Sequence, residues 1–297
     1  MSIYLLLAVI FWGFSYIAIK ESLNYLSPVE LIAARFATGA ITLLLIIKLK
    51  GMSLSMRGEF KNLLISGIIV FVHFWIMATG MLYTTATNTA WILTTAPIFI
   101  AVLSIIVLSE KLHLGQGLAI IAATVGVLFL VSNGDFTTLA WISSIGDWIV
   151  LGSCVTWAIY TIFTRRITSR LDPLVATFWT IAISGLVIVP GSILFSGASV
   201  YLALPASGAI AVLFLGIGCL AGSFWFWSEG LKQKPAAEVG LYLYLEPLFA
   251  TIGAAVLLNE EITWPVMVGG LFIFAAVYLA ENFGKKKLGK RAVRDAH

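Results

Sequence analysis

Ten runs of about 20 mostly apolar residues follow one another along this chain, and no other feature restricts its fold as tightly. A hydrocarbon core about 30 Å thick is crossed by about 20 residues of α-helix. A backbone in lipid must satisfy its own hydrogen bonds, which leaves only helices or closed barrels. Runs such as ITLLLIIKL (41–49) and LFIFAAVYLA (271–280) lack the alternation of barrel strands. The expected fold is therefore an all-α integral membrane bundle. Breaks at Gly, Pro, Asn and charged clusters place ten transmembrane helices near 2–21, 28–49, 61–83, 88–108 and 114–133, then 144–168, 172–196, 207–230, 238–258 and 263–284. Composition agrees, since 60% of the 297 residues are hydrophobic and 11% are charged, a balance outside that of soluble domains.

Met1 to Tyr4 carry no basic residue, and the first run reaches spanning length before any charge, so it is expected to stay as a helix rather than be cleaved as a signal peptide. Cys154 and Cys219 fall inside spans without metal-site spacing and read as small buried apolar residues. Neither a metal nor a cofactor is called for.

The basic residues are lopsided. Lys48, Lys50, Arg57 and Lys61 lie between spans two and three, Lys111 between four and five, Arg165, Arg166 and Arg170 between six and seven, and Lys232 and Lys234 between eight and nine. With six more after span ten, alternate connections and the tail hold 16 of the 18 Lys and Arg. Cytoplasmic loops carry that excess, which places both termini in the cytoplasm of a multi-pass protein of the inner (plasma) membrane. The tail cations read as a solvated stop-transfer flank. Cations spread over loops, with no base-reading element, imply no nucleic-acid partner.

The chain also says one thing twice. FWGFSYIAIKESLNYLSP (11–28) sets Trp12, Lys20 and Pro28 where TWAIYTIFTRRITSRLDP (156–173) sets Trp157, Arg165 and Pro173, each 145 residues later. TTAPIFIAVLSIIVLSEKL (94–112) and YLEPLFATIGAAVLLNEEI (244–262) align at an offset of 150, superposing Pro97 on Pro247 and Glu110 on Glu260. Five spans starting inside must be followed by five starting outside, so the expected organisation is an inverted repeat. Its parts are a first half at 1–133, a linker at 134–143, a second half at 144–284 and a basic tail at 285–297. Inverted repeats whose helices break at Pro97 and Pro247 are a signature of secondary transporters, in which two halves rock about a site near the midplane.

These motifs resemble the drug/metabolite transporter superfamily in its EamA-type branch. FWGFSYIAIK resembles that family's Trp-Gly first helix, LSPVELIAARFATGA its Pro and Arg-Phe second helix, and the two Pro and Glu segments the ends of its fourth and ninth helices. The resemblance implies ten helices around a central cavity lined by helices one to four and six to nine, with five and ten outside. It also implies export of small metabolites, often amino acids, without ATP. Gly13 has Ala158 as its repeat partner, so the second Trp-Gly copy is degraded and any site is asymmetric.

Three ionisable residues lie deep in spans, where a charge costs about 2.5–3.5 kcal/mol unless solvated or paired. Glu246, central in span nine, precedes Pro247, whose missing N–H leaves the Leu243 carbonyl without its helical donor. It is read either as a site for a substrate ammonium or a proton, or as a structural Glu bonded across a helix interface. His73 in span three is a packed polar residue, a substrate contact or a proton relay. Arg35 in span two, which matches an Arg common in the resembled family, pairs carbonyls or a carboxylate structurally or touches substrate. Trp12 and Trp157 lie near span midpoints, where interfacial anchors would be misplaced. Tyr16 and Tyr160 lie within a helical turn or so of them, and Trp75 and Trp91 are placed to close the outer side of the same cavity. An aromatic cavity with a few polar groups suits a small amphipathic molecule, and an ammonium over a ring adds about 0.5–2 kcal/mol. Ala122 and Gly126 are expected to let helices approach closely. Glu110 and Glu260 read as caps or anchors for the helix that follows each.

The reading is a secondary transporter exporting small organic metabolites, foremost amino acids with aromatic or hydrophobic ones among them, by alternating access. Its partners are a small-molecule substrate, the bilayer and protons as a coupling ion, and it acts as a monomer or weak oligomer. The alternatives are an integral-membrane enzyme, which should show converging Asp, His or Cys groups, and a channel or sensory module, which should show a polar pore or a soluble domain.

Overall fold

A computed structural model describes residues 1–84, 89, 92–138, 144–258 and 261–294, with the side chains of 258 and 281–294 excepted. Among them all regular structure is helical. Eight helices are long and apolar enough to cross a bilayer: α1 (Ile3–Ser22), α2 (Pro28–Leu49), α3 (Phe60–Met81), α5 (Leu114–Val131), α6 (Ile145–Ile167), α7 (Pro173–Ser196), α8 (Ala206–Gln233) and α9 (Ala236–Leu257). Two others, α4 (Ala96–Leu108) and α10 (Trp264–Arg294), have shorter apolar stretches. The segment read as a tail from 285 continues α10 as helix to Arg294, since no breaker follows Ala280 except single glycines.

Helix starts follow capping chemistry. Ser27 and Glu30 form a reciprocal box at α2, with the Ser27 N–H donating to the Glu30 carboxylate at 2.7 Å and Pro28 in the first turn. Asp172 accepts the Leu174 N–H at 2.9 Å at the start of α7, ahead of Pro173. The repeated prolines thus mark two capped helix starts.

Connections gather at two ends of the bundle. At the near end, where the chain begins, Arg170 pairs with Glu59 at 3.1 Å and the Trp179 indole donates to the Leu54 carbonyl at 2.9 Å. At the far end the Tyr25 hydroxyl meets Ser207 at 3.4 Å and the Thr84 hydroxyl donates to Asp147. Between the ends, α1 packs on α9 and α8, α6 on α4 and α3, α2 on α7 and α8, α3 on α7, and α5 on α10. Gly126 on α5 faces Gly269 on α10. A Cβ on Gly126 would meet the Gly269 carbonyl at 3.0 Å, so the pair lets two backbones touch where larger residues would hold them apart.

Glu110 does not serve α5, the helix after it. Its carboxylate accepts the Ala236 N–H at 2.8 Å, capping the start of α9, and pairs with Arg165 of α6 at 3.5 Å. A free amide at a helix start is the stronger claimant for a carboxylate. Burial pushes the Glu110 carboxyl up, against the Ala236 amide and Arg165, which favour its charged form. Its repeat partner Glu260 lies outside the described residues.

Candidate functional site

Two helices lose regular winding in the middle of the bundle. In α8 the stretch Phe214–Gly222 is wound as π-helix, and in α9 a 3₁₀ stretch, Leu241–Leu245, precedes the α-helix that begins at Glu246. Such departures mark strain or function more often than idle packing. The tighter 3₁₀ winding settles the carbonyl that Pro247 should have orphaned: the Glu246 N–H donates to the Leu243 carbonyl, so that oxygen is not free for substrate. Pro247 and Pro97 both occupy first turns of helices, where a missing N–H is harmless, instead of kinking helix interiors.

Between these breaks lies an aromatic cluster. Trp12 and Trp157, on α1 and α6, meet edge-on with ring centroids 5.3 Å apart, and both touch Trp227 and Phe224 of α8. Trp12 is 8% exposed, and its indole N–H donates to the Cys219 carbonyl of the π segment at 2.9 Å. Tyr160 lies 5.1 Å from Trp157 and is fully buried with Trp227 and Phe224 on the near-end side, so its hydroxyl does not reach open space.

Toward the far end the same surface opens. Trp12, Tyr16 and Lys20 share one face of α1 at four-residue spacing. Trp12 is enclosed, Tyr16 is 39% exposed and Lys20 is exposed. Trp157 and Glu246 are half-buried beside them. Aromatic rings therefore close the interior toward the near end, while toward the far end Tyr16 and Lys20 are exposed. On that side the Tyr16 hydroxyl donates to Glu246 Oε1 at 3.0 Å. No basic side chain lies within ion-pair distance of that carboxylate among the described residues.

His73 of α3 closes the other flank. Its Nδ1 lies 3.0 Å from the Ser153 carbonyl and 3.2 Å from the Thr156 hydroxyl, and its ring is 5.3 Å from Trp157. A carbonyl only accepts, so Nδ1 carries the proton of the neutral ring and Nε2 keeps its lone pair. Arg35 of α2 stacks over Phe74 at 5.2 Å, and Phe74 is 6.3 Å from Phe224 in the cluster. Sequence depth alone had grouped Trp12, Tyr16, His73, Trp157, Glu246 and Arg35, and the fold brings them to one place.

One expected residue does not join them. Trp75 is 51% exposed on the apolar stripe of α3 with Leu64 and Ile68, and its ring partner is Phe71, since two residues along a helix turn the side chain away from His73. Trp91 lies outside the described residues. Phe224 and Trp227 were missed because a Trp or Phe within an apolar run gives no signal of its own. Cys154 and Cys219 are free and buried, as read.

Comparison with known proteins extends this picture. The fold superposes on a solved crystal structure with a TM-score of 0.82 at 18% identity, covering 96% of this chain and 97% of that one. An uncharacterised transporter of Archaeoglobus fulgidus is 26% identical, over 93% of this chain and 95% of its own. A probable amino-acid metabolite efflux pump of Salmonella typhimurium is 24% identical, over 92% of each chain. The EamA-like transporter family model matches residues 1–132 and again 144–281. Carrying that family's pattern through both halves, this multi-pass membrane chain belongs to the EamA-like transporter family.

Proposed function

We propose that this protein is a secondary transporter that exports small amphipathic metabolites, amino acids foremost, across the cytoplasmic membrane by alternating access. The observation that carries the reading is a mid-bundle cluster enclosed on one side and exposed on the other. A site at mid-bundle, closed by Trp12, Trp157, Phe224 and Trp227 on one side and open past Tyr16 and Glu246 on the other, is what one state of an alternating-access carrier requires. The name of the Salmonella relative favours amino acids among possible cargoes.

On this reading α4 and α10 also cross the bilayer, giving ten spans in two inverted halves. Exchanging the halves turns the α1–α9 contact into α6–α4, α3–α7 into α8–α2, and α3–α6 into α8–α1, and each of these contacts exists. The two family matches divide the chain at the same place. With the basic loops in the cytoplasm, the near end is inside and the exposed side of the cluster faces out. Among the described residues Thr161 Oγ1, Trp227 Nε1 and Arg35 Nε are enclosed without a partner, and they belong to the cluster or to residues beside it. Each costs about 1–3 kcal/mol, so the sealed arrangement holds a penalty that a second conformation can relieve.

Two experiments test this. Single cysteines at the exposed positions Ser55 and Ser169 should be labelled by an impermeant reagent only from the cytoplasm, and one at Thr137 only from outside. External labelling of the first two reverses the orientation. In proteoliposomes a labelled amino-acid panel should show saturable flux that responds to a pH gradient, and Trp157→Ala should cut it several-fold in well-folded protein. Flux of no panel member removes amino acids as the cargo.

A further inference from the structure

We propose that Glu110 is the latch of a near-end gate: it holds the first turn of α9, Ala236–Gly240, against α4 and α6, and its release lets that turn swing away and opens the aromatic cluster to the near end. The inference rests on the alternating-access reading above and names a contact that such a carrier must break to change sides.

The start of α9 is not capped from its own sequence. The residue before it is Pro235, whose side chain has no acceptor to offer, whereas Ser27 at α2 and Asp172 at α7 supply their own. The Ala236 N–H, on a residue that is 0% exposed, is answered by Glu110 Oε2 at 2.8 Å, from just beyond the end of α4. A cap borrowed from another helix holds only while the two helix ends stay together. Glu110 Oε1 also meets Arg165 Nε at 3.5 Å at the end of α6, and Arg165 Nη1 donates to the Lys232 carbonyl in the last turn of α8 at 3.4 Å. Arg166 Nη2 donates to the Val107 carbonyl of α4 at 2.7 Å. One carboxylate and two arginines thus join the near ends of α4, α6, α8 and α9. The Arg165 and Glu110 side chains are 27% and 16% exposed, so their pair escapes much of the screening that weakens a surface pair such as Arg170–Glu59, whose arginine is 71% exposed.

The segment so held can turn as a unit. Ala236–Gly240 is a separate α-helical turn, and the 3₁₀ stretch Leu241–Leu245 divides it from the helix that starts at Glu246. Such winding within a helix has poorer hydrogen-bond geometry and is where a hinge costs least. Gly240 closes on α4, where a Cβ would lie 3.2 Å from Ile100 Cγ2, and Val239 is 0% exposed. The latch and Glu246 therefore lie at the two ends of one broken helix start. Its partner α6, tied through Arg165, carries Trp157 of the aromatic cluster.

Cysteine accessibility tests this without any substrate. In a chain with Cys154 and Cys219 replaced by Ala, Val239→Cys reports the near end, and Tyr16→Cys, at a position 39% exposed, reports the far end. Glu110→Ala should speed labelling of the first from the cytoplasmic side about 10-fold and slow labelling of the second from outside by a similar factor. Glu110→Gln, which keeps an acceptor for the Ala236 N–H, should fall between wild type and Ala. Faster labelling at Val239→Cys with no change at Tyr16→Cys would show a cap that frays and no gate, and no change at either overturns the latch. A second experiment leaves Glu110 in place. Lys111→Cys and Pro235→Cys, joined by a reversible bis-methanethiosulfonate linker, should stop flux of labelled phenylalanine in proteoliposomes, and dithiothreitol should restore it. Full flux in the cross-linked protein overturns the latch even if Glu110→Ala fails to fold. If phenylalanine is not carried before linking, the amino-acid reading loses its support, and the labelling comparison still decides the latch.

Discussion

Glu246→Gln is expected to leave the protein folded in the membrane and to abolish flux driven by a pH gradient. The amide oxygen still accepts the Tyr16 hydroxyl, the carboxylate's sole side-chain partner among the described residues, so the stability change should stay within about 1 kcal/mol. What Gln cannot do is exchange a proton. A carboxyl at mid-bundle, without a cation partner among the described residues, can bind an ammonium when charged and release it when protonated, which couples the two movements without ATP. The measurement is uptake and efflux in proteoliposomes across imposed pH gradients, with the pH dependence of substrate binding alongside. Wild-type rate and pH profile in the purified variant would return Glu246 to a structural role and leave His73 as the group to test for coupling.

The second large effect is expected at Gly13. A Cβ there would lie 2.6 Å from the Phe249 Cβ and 2.9 Å from the Ala250 backbone nitrogen, with the Glu246 carbonyl at 3.0 Å. Two of these are backbone atoms that cannot rotate away, so α1 must move off α9. Gly13→Ala should cost about 1–3 kcal/mol as an overpacked contact, visible as a lower melting temperature of the detergent-purified protein. It should also cut transport, because the displacement stretches the Tyr16–Glu246 bond. Gly13→Leu should prevent assembly. An Ala variant with wild-type melting temperature and flux would show that the crossing has room the structure denies.

That glycine marks where sequence reading stops. The all-helical membrane class was legible because the bilayer imposes one length and one hydrogen-bonding rule on every span, which needs no knowledge of contacts. The depth of Trp12, Trp157, His73, Arg35 and Glu246 was equally local, since depth depends only on distance from a span's ends. The Trp-Gly motif could be seen, but not that its glycine touches Phe249, some 236 positions along the chain. Trp75 and His73 share a depth yet face opposite ways, because depth fixes height and only packing fixes which neighbour a side chain meets. The Leu243 carbonyl was misjudged for a related reason. A proline states which donor is missing, whereas the change to 3₁₀ winding that finds another donor belongs to the packed helix. The seal of Trp227 and Phe224 and the exposure of Tyr16 toward the far end are products of how the helices press together. In a chain that is apolar almost throughout, side-chain chemistry does not separate the residues that face lipid from those that face one another, and only their arrangement in space does.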